Sequence, residues 1–185
     1  GDENNKINIE GTANKITTGS GQDILNISGT VNGHIDTGFK NDTITVESTG
    51  IVHSIDAGLG NDIINVYGRS QGSVTGEIGN DTITVFDGGV VSSNVFGGDG
   101  EDIITIKNGA TVNEVQGYKD SDTITIEQGA NVDHILFVNN DGNDDLYLNA
   151  GVNNLRFGMN TVAERISDLN YTLMSDGSIV IKYNS

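Results

Sequence analysis

An aspartate recurs along this 185-residue chain at an almost constant interval, and each one follows a glycine-rich stretch. The successive intervals are 19, 20, 19, 21, 20 and 22 residues. A period near 20 that persists over this many repeats is typical of a solenoid, in which each repeat forms one coil. The recurring residues, called the marker aspartates below, are Asp23, Asp42, Asp62, Asp81, Asp102, Asp122 and Asp144.

Each marker aspartate is followed by a short segment in which β-branched residues alternate with polar ones, as in Asp42-Thr43-Ile44-Thr45-Val46. This alternation is typical of a strand with one buried face. If the coils stack in register, the apolar residues form two inward columns, while Thr43, Thr45 and their equivalents face water. The columns are Ile44/Val46, Ile64/Val66, Ile83/Val85, Ile104/Ile106, Ile124/Ile126 and Leu146/Leu148.

A second strand follows a glycine corner in each repeat and carries one dependable apolar residue seven positions before the next marker. Its occupants are Ile16, Ile35, Ile55, Val74, Val95 and Val115, with Ile135 in the longer last coil. An antiparallel meander also has strands and glycine turns at short intervals, but it does not normally keep a 20-residue register. The sequence therefore predicts an all-β fold, a parallel β-solenoid of about eight coils stacked about 4.8 Å apart.

The repeat pattern covers residues 1–158, and residues 159–185 are predicted to form a C-terminal cap. Thr161-Val162-Ala163-Glu164 has the pattern of a capping box and predicts one short helix. The segments on either side of Ser175-Asp176-Gly177 predict a hairpin with an Asp-Gly turn. A cap is expected because the end of a solenoid exposes strand edges and apolar columns.

Charge and composition restrict the partners. The net charge is −17, with 9 basic and 26 acidic residues, so we expect no nucleic-acid partner. No apolar run approaches the roughly 18 residues of a membrane span, so no membrane insertion is expected. The chain has no Cys, which excludes disulfides and thiolate metal sites. Because it starts at Gly1 without a signal-like segment, we expect a processed product or a fragment.

Stacked coils place the marker aspartates in one column, with neighbouring carboxylates about 5 Å apart. At an effective dielectric constant of about 20, two such charges repel by roughly 3 kcal/mol. A column of Asn would avoid this repulsion, so the retention of Asp favours bridging cations. Carboxylates and the backbone carbonyls of glycine turns form an all-oxygen ligand set, which suits Ca²⁺ better than Mg²⁺. The alternative is that each aspartate accepts backbone N–H bonds at a corner without any metal.

The segment Gly97-Gly98-Asp99-Gly100-Glu101-Asp102-Ile103-Ile104-Thr105 resembles the nonapeptide repeat of RTX (repeats-in-toxin) proteins. That family forms calcium-loaded parallel β-rolls in secreted bacterial adhesins, S-layer proteins and toxins. The resemblance implies Ca²⁺ ligands at the seven marker aspartates. It also implicates the corner residues Gly19, Gly21, Gly58, Gly60, Gly98, Asp99, Gly100, Asp120, Asp141 and Gly142.

The chain departs from the family pattern, because only one corner of each coil carries an aspartate. In RTX repeats both corners do. Lys40 stands where the second corner glycine belongs, and Gly76-Glu77 precede Gly79 where the earlier glycine is expected. These departures leave the number of occupied sites open.

The aspartate column predicts a non-catalytic calcium-binding module. The resemblance to RTX proteins implies that it belongs to a secreted bacterial cell-surface protein and folds when it meets calcium outside the cell. Its other partners could be further surface-protein subunits or a glycan. An alternative is a module that binds ice or carbohydrate through the outward Thr pairs Thr43/Thr45, Thr82/Thr84 and Thr123/Thr125. A polysaccharide lyase or epimerase of the β-helix type is a third possibility, although no catalytic constellation can be assigned. His34, His53 and His134 form no column and are expected to be surface residues.

Overall fold

A computed structural model describes residues 2–137, 142–149, 156–159, 169–174 and 179–184. These residues form strands and turns only, and none belongs to a helix long and apolar enough to cross a membrane. The strands are β1 (Lys6–Ile9), β2 (Thr12–Ala13), β3 (Ile16–Gly19), β4 (Ile24–Ile27), β5 (Thr30–Gly38), β6 (Thr43–Val46), β7 (Ile51–Leu59), β8 (Ile63–Val66), β9 (Arg69–Ser70), β10 (Val74–Ile78), β11 (Thr82–Val85), β12 (Val90–Asp99), β13 (Ile103–Ile106), β14 (Thr111–Lys119), β15 (Thr123–Ile126), β16 (Asn131–Phe137), β17 (Asn143–Leu148), β18 (Arg156–Met159), β19 (Leu169–Leu173) and β20 (Ile179–Asn184).

The strands form two sheets that face each other across a narrow core, and the predicted parallel β-solenoid is confirmed. The short-strand sheet has the order β1-β4-β6-β8-β11-β13-β15-β17-β20-β19. The long-strand sheet has the order β18-β16-β14-β12-β10-β7-β5-β2, and β3 and β9 join it beside this path. Strands that pair in parallel belong to consecutive coils, which gives about seven turns.

The alternation in the sequence sets the register. In the short-strand sheet Ile83 pairs with Ile64 and Ile104, and Val85 pairs with Val66 and Ile106. These residues are buried, as the two inward columns require. The single apolar position predicted in the second strand is buried in every described coil, from Ile16 through Ile135. A further inward column, not predicted from the sequence, lies three or four residues before the one that runs from Ile16 to Ile135. It consists of Val31, Val52, Ser70, Val91, Val112 and Val132.

The outward face of the short-strand sheet carries no charged residue between β4 and β15, although the chain is strongly acidic. Its first column alternates between Ile and Thr from coil to coil. Its second column contains only Asn and Thr. The columns run Ile24, Thr43, Ile63, Thr82, Ile103, Thr123 and Asn26, Thr45, Asn65, Thr84, Thr105, Thr125.

A hairpin covers the C-terminal edge of the short-strand sheet. Strand β20 runs antiparallel to β17, and β19 runs antiparallel to β20. The two strands of the predicted hairpin are therefore confirmed, and they occupy hydrogen-bonding positions that an additional coil would otherwise take. The predicted helix at residues 161–169 and the turn at residues 175–177 lie outside the described residues, except for Leu169, which begins β19.

Candidate metal centre

The glycine-rich corner adopts the same left-handed backbone in coils that differ in sequence. Four residues before the marker, φ is 119° at Gly19, 96° at Gly38, 103° at Gly58 and 128° at Gly98. Two residues before the marker, φ is 149° at Gly60, 137° at Gly79, 136° at Gly100 and 113° at Gly142. Glycine populates this region without the steric cost that a Cβ imposes, which explains its recurrence at both positions.

Four corner positions keep this conformation without glycine. The φ angles are 73° at Lys40, 83° at Glu77, 79° at Tyr118 and 74° at Asp120. The irregular corners noted in the sequence therefore also have positive φ, at smaller angles than the glycines of the regular corners. Stacking against neighbouring coils holds them there, because an isolated residue of these types strongly prefers negative φ.

The marker aspartates form a hydrogen-bonded ladder along the inside of this corner. In each coil the backbone N–H of the marker donates to Oδ1 of the marker in the next coil. The N···O distance is 2.6 Å from Asp23 to Asp42 and from Asp42 to Asp62, and 2.7 Å from Asp81 to Asp102. At the N-terminal end Asn5 takes the place of a marker and donates to Asp23 from both its backbone N and its Nδ2. The remaining bonds join Asp62 to Asp81, Asp102 to Asp122 and Asp122 to Asp144.

In the middle coils the ladder uses only half of each carboxylate. The marker side chains are about 1 % exposed, and the Oδ2 atoms of Asp62, Asp81 and Asp102 are buried without a hydrogen-bond partner. At the N-terminal end Thr18 and Thr37 hydrogen-bond to Asp23 and Asp42. The metal-free interpretation thus accounts for Oδ1 of Asp62, Asp81 and Asp102 but not for their Oδ2. A buried carboxylate oxygen that accepts nothing costs several kcal/mol, so a proton or a cation is expected beside it.

Small residues pack against these oxygens. Five positions before the marker the chain has Thr18, Thr37, Ala57, Gly76, Gly97 and Gly117 in successive coils. A Cβ placed on Gly76 would collide with Oδ2 of Asp81, and one on Gly97 would collide with Oδ2 of Asp102. The glycines in the C-terminal half therefore leave room for the Oδ2 atoms themselves.

Burial makes the aspartate column reluctant to ionise. It raises the pKa of Asp42, Asp62 and Asp144 to about 6, that of Asp102 to about 7 and that of Asp81 to about 8. Neighbouring carboxylates raise the pKa of Asp81 further, and the N–H bond from Asp62 partly offsets both effects. Asp23 differs, because burial is outweighed by hydrogen bonds from Thr18 and Asn5, which lower its pKa. At neutral pH Asp42, Asp62 and Asp144 are therefore mostly ionised, whereas Asp102 and Asp81 retain much of a proton unless a cation replaces it.

A second ladder, not anticipated from the sequence, runs beside the first on the exposed side. The side chain of the residue just before the marker accepts the backbone N–H of the following coil. Asn41 accepts from Asn61 at 3.0 Å, Asn61 accepts from Asn80 at 3.0 Å, and Asn80 accepts from Glu101 at 3.1 Å. The Asn-Asp pair of several repeats thus joins each coil to both neighbours. The repeated Asn before Asp was the only signal in the sequence.

The structure brings the marker aspartates together but places the additional corner carboxylates elsewhere. Oδ2 of Asp99 lies 2.6 Å from Nζ of Lys119 on the surface, and Asp120 is exposed. Asp141 lies outside the described residues. Within the described ranges, no three Asp, Glu, His or Cys side chains converge to hold a metal ion. A cation at the column would therefore need backbone carbonyl oxygens among its ligands.

Such a cation would be held by Oδ2 of successive marker aspartates, and it would supply the positive charge that the buried column lacks. An oxygen-only ligand set with flexible geometry suits Ca²⁺. The buried Oδ2 atoms of Asp62, Asp81 and Asp102, which have no hydrogen-bond partner, fit this assignment. Comparisons with known proteins add no family, because no family model, curated protein or solved structure matches the chain.

Proposed function

We propose that this protein is a calcium-binding β-solenoid module of a secreted bacterial cell-surface protein and that it has no catalytic role. One observation carries the proposal: the buried Oδ2 atoms of Asp62, Asp81 and Asp102 accept no hydrogen bond, and those of Asp81 and Asp102 pack against glycines. An all-oxygen cation site explains why aspartate recurs at positions where Asn could also form the ladder.

The function follows from linkage between binding and folding. Ligands that are spread over successive coils come together only when the coils stack, so calcium binds the folded chain far better than the unfolded one. At low calcium the acidic chain is destabilised by its buried carboxylates. At millimolar calcium the column is neutralised, and the solenoid becomes a stiff rod. A spacer or a surface-layer subunit of an S-layer protein, adhesin or toxin needs such a transition outside the cell.

Circular dichroism and calorimetry on chelator-stripped protein test this proposal. Addition of calcium at neutral pH is expected to produce β-structure or a large rise in the unfolding temperature, with several ions bound per chain. Magnesium at the same concentration serves as the control and should have a much smaller effect. Equal folding and heat stability in EDTA and in calcium would refute the proposal.

A second candidate function is supported by the charge-free outward face of the short-strand sheet. Two straight columns of Ile, Thr and Asn repeat there with the coil spacing of about 4.8 Å. A flat, regular, uncharged array can match an ordered surface such as ice. Thermal hysteresis in the wild type, lost in Thr84→Lys at the centre of the array and kept in Thr111→Lys on the other sheet, would establish this function. Absence of hysteresis in the wild type would dismiss it.

A further inference from the structure

A trough runs along the outside of the long-strand sheet, parallel to the solenoid axis. Its floor is the column of residues four positions before the marker, in which Gly19, Gly38, Gly58 and Gly98 have no side chain. One wall contains Thr75 and Phe96, and the other contains Leu59, Ile78 and Asp99. Stacked glycines between two columns of larger residues leave a groove that is open to solvent.

In two coils this floor carries a large side chain in place of glycine. Glu77 and Tyr118 occupy the glycine column on either side of Gly98, and both hold left-handed φ angles of 83° and 79°. Such angles are costly for residues with a Cβ, and every other described residue at this level is glycine. The two strained residues bound the same cavity of about 550 Å³, which also contacts Ser73, Thr75 and Ile78.

The cavity offers an aromatic surface together with hydrogen-bonding groups of both kinds. The rings of Phe96 and Tyr118 meet edge to face with their centroids 5.1 Å apart. The Glu77 carboxylate can accept hydrogen bonds, and the hydroxyls of Ser73 and Thr75 can donate or accept them. At the rim, Lys119 forms an ion pair with Asp99. Among the described residues none donates a hydrogen bond to Glu77. Burial raises the pKa of Glu77, the Asp56 and Asp99 carboxylates raise it further, and His34 partly offsets these effects.

We propose that this trough, bounded by Glu77 and Tyr118, binds a neutral oligosaccharide. A pyranose ring has an apolar C–H face that packs on an aromatic ring, and its hydroxyls can donate to a carboxylate. Two coils separate Glu77 from Tyr118, a distance of about 10 Å that accommodates one sugar ring and its contacts. A smaller depression of about 190 Å³ continues past Glu77 over Gly58 and Leu59. The trough thus has room for adjoining sugar units, with Glu77 between them.

The mixture of groups favours a neutral sugar over charged ligands. The net charge of −17 repels anionic glycans. An organic cation would find Asp99 already paired with Lys119, whose ammonium group lies at the rim. The binding site is on the opposite sheet from the Thr-rich face.

The glycine column allows ligand contacts to be removed without strain on the backbone. Glu77→Gly and Tyr118→Gly each restore the residue found at this level in other coils, so they should raise or preserve the unfolding temperature while removing a ligand contact. Lys40→Gly is the matched control, because it also replaces a residue at positive φ but lies two coils before Glu77 and lines neither depression. Each protein, saturated with calcium, is titrated with cellohexaose, laminarihexaose, xylohexaose and mannohexaose by NMR and calorimetry.

We expect at least one hexasaccharide to shift the Gly98 amide resonance and to bind the wild type and Lys40→Gly equally. Both trough variants should bind it at least about tenfold more weakly. The proposal is overturned if none of the four sugars binds at about 10 mM, or if both trough variants bind as well as the wild type. It is also overturned if N-acetyl-lysine methylamide, an organic cation, binds at the trough and the sugars do not.

Discussion

Replacement of one buried marker aspartate by asparagine separates the two interpretations of the column. In Asp102→Asn the new Oδ1 can still accept the N–H of Asp81, while an uncharged amide takes the place of the buried Oδ2. The variant therefore keeps the ladder and removes the ionisable group. Its effect on stability should have opposite signs in the absence and in the presence of calcium.

The metal-free effect follows from the pKa of Asp102, which burial raises from 3.8 to about 7. The folded state then holds a proton that the unfolded state releases, so stability is greatest at low pH and falls as pH rises towards 7. Between about pH 5 and about pH 8 this group alone should cost the metal-free wild type about 2.5 kcal/mol of unfolding free energy. Over the same pH interval, the unfolding free energy of Asp102→Asn should fall by about 2.5 kcal/mol less than that of the wild type.

Urea unfolding followed by circular dichroism in EDTA at several pH values measures this difference. Glu101→Gln is the control, since it removes the same charge from the exposed neighbouring position. In calcium at neutral pH, Asp102→Asn should be less stabilised than the wild type, because one anionic ligand is missing. A pH dependence of Asp102→Asn equal to that of the wild type would refute the electrostatic reasoning. An unchanged stabilisation by calcium would refute the assignment of Asp102 as a ligand.

Three further predictions use the same assays. Ile104→Ala should lower the unfolding free energy by about 2–5 kcal/mol with or without calcium, because it opens a cavity in a fully buried column; an effect seen only with calcium would contradict this. Gly97→Ala should destabilise the fold and weaken calcium binding, because its Cβ would collide with the carboxylate of Asp102. Gly11→Ala, which has open space around it, should be neutral in both assays. Equal effects of the two substitutions would be inconsistent with the proposed site. Calcium affinity measured by calorimetry should rise between about pH 5 and about pH 8 with release of protons, since cation and proton compete for the column; a pH-independent affinity would count against it.

The sequence was sufficient to predict the solenoid because its regularities are those of the fold. Alternation at Ile83 and Val85 defines a strand with one buried face, and the 20-residue period aligns each strand with the next. The hairpin at the C-terminal edge also followed from local patterns. The buried column that includes Val91 was missed for two reasons. Ser70 replaces the apolar residue in one coil, and the number of residues between this column and the next inward position varies from coil to coil.

The details of the corner were harder to predict because they depend on contacts between coils. Nothing local in the sequence indicates that Glu77 and Tyr118 adopt the left-handed backbone of glycine, since neighbouring coils impose it. The division of each marker carboxylate into a hydrogen-bonded Oδ1 and a buried Oδ2 likewise arises only when coils are stacked. Spacing placed the carboxylates in one column, but only the structure separates the two oxygens.

The central claim is that calcium lies beside the buried Oδ2 atoms of the marker aspartates. A crystal structure of the protein grown in calcium, with anomalous scattering data collected at a long wavelength, tests it most directly. We expect a row of anomalous peaks inside the aspartate corner, repeating at twice the coil spacing of about 4.8 Å, because one Ca²⁺ balances two marker carboxylates. A corner without such peaks, or peaks only at exposed carboxylates such as that of Asp120, would contradict it.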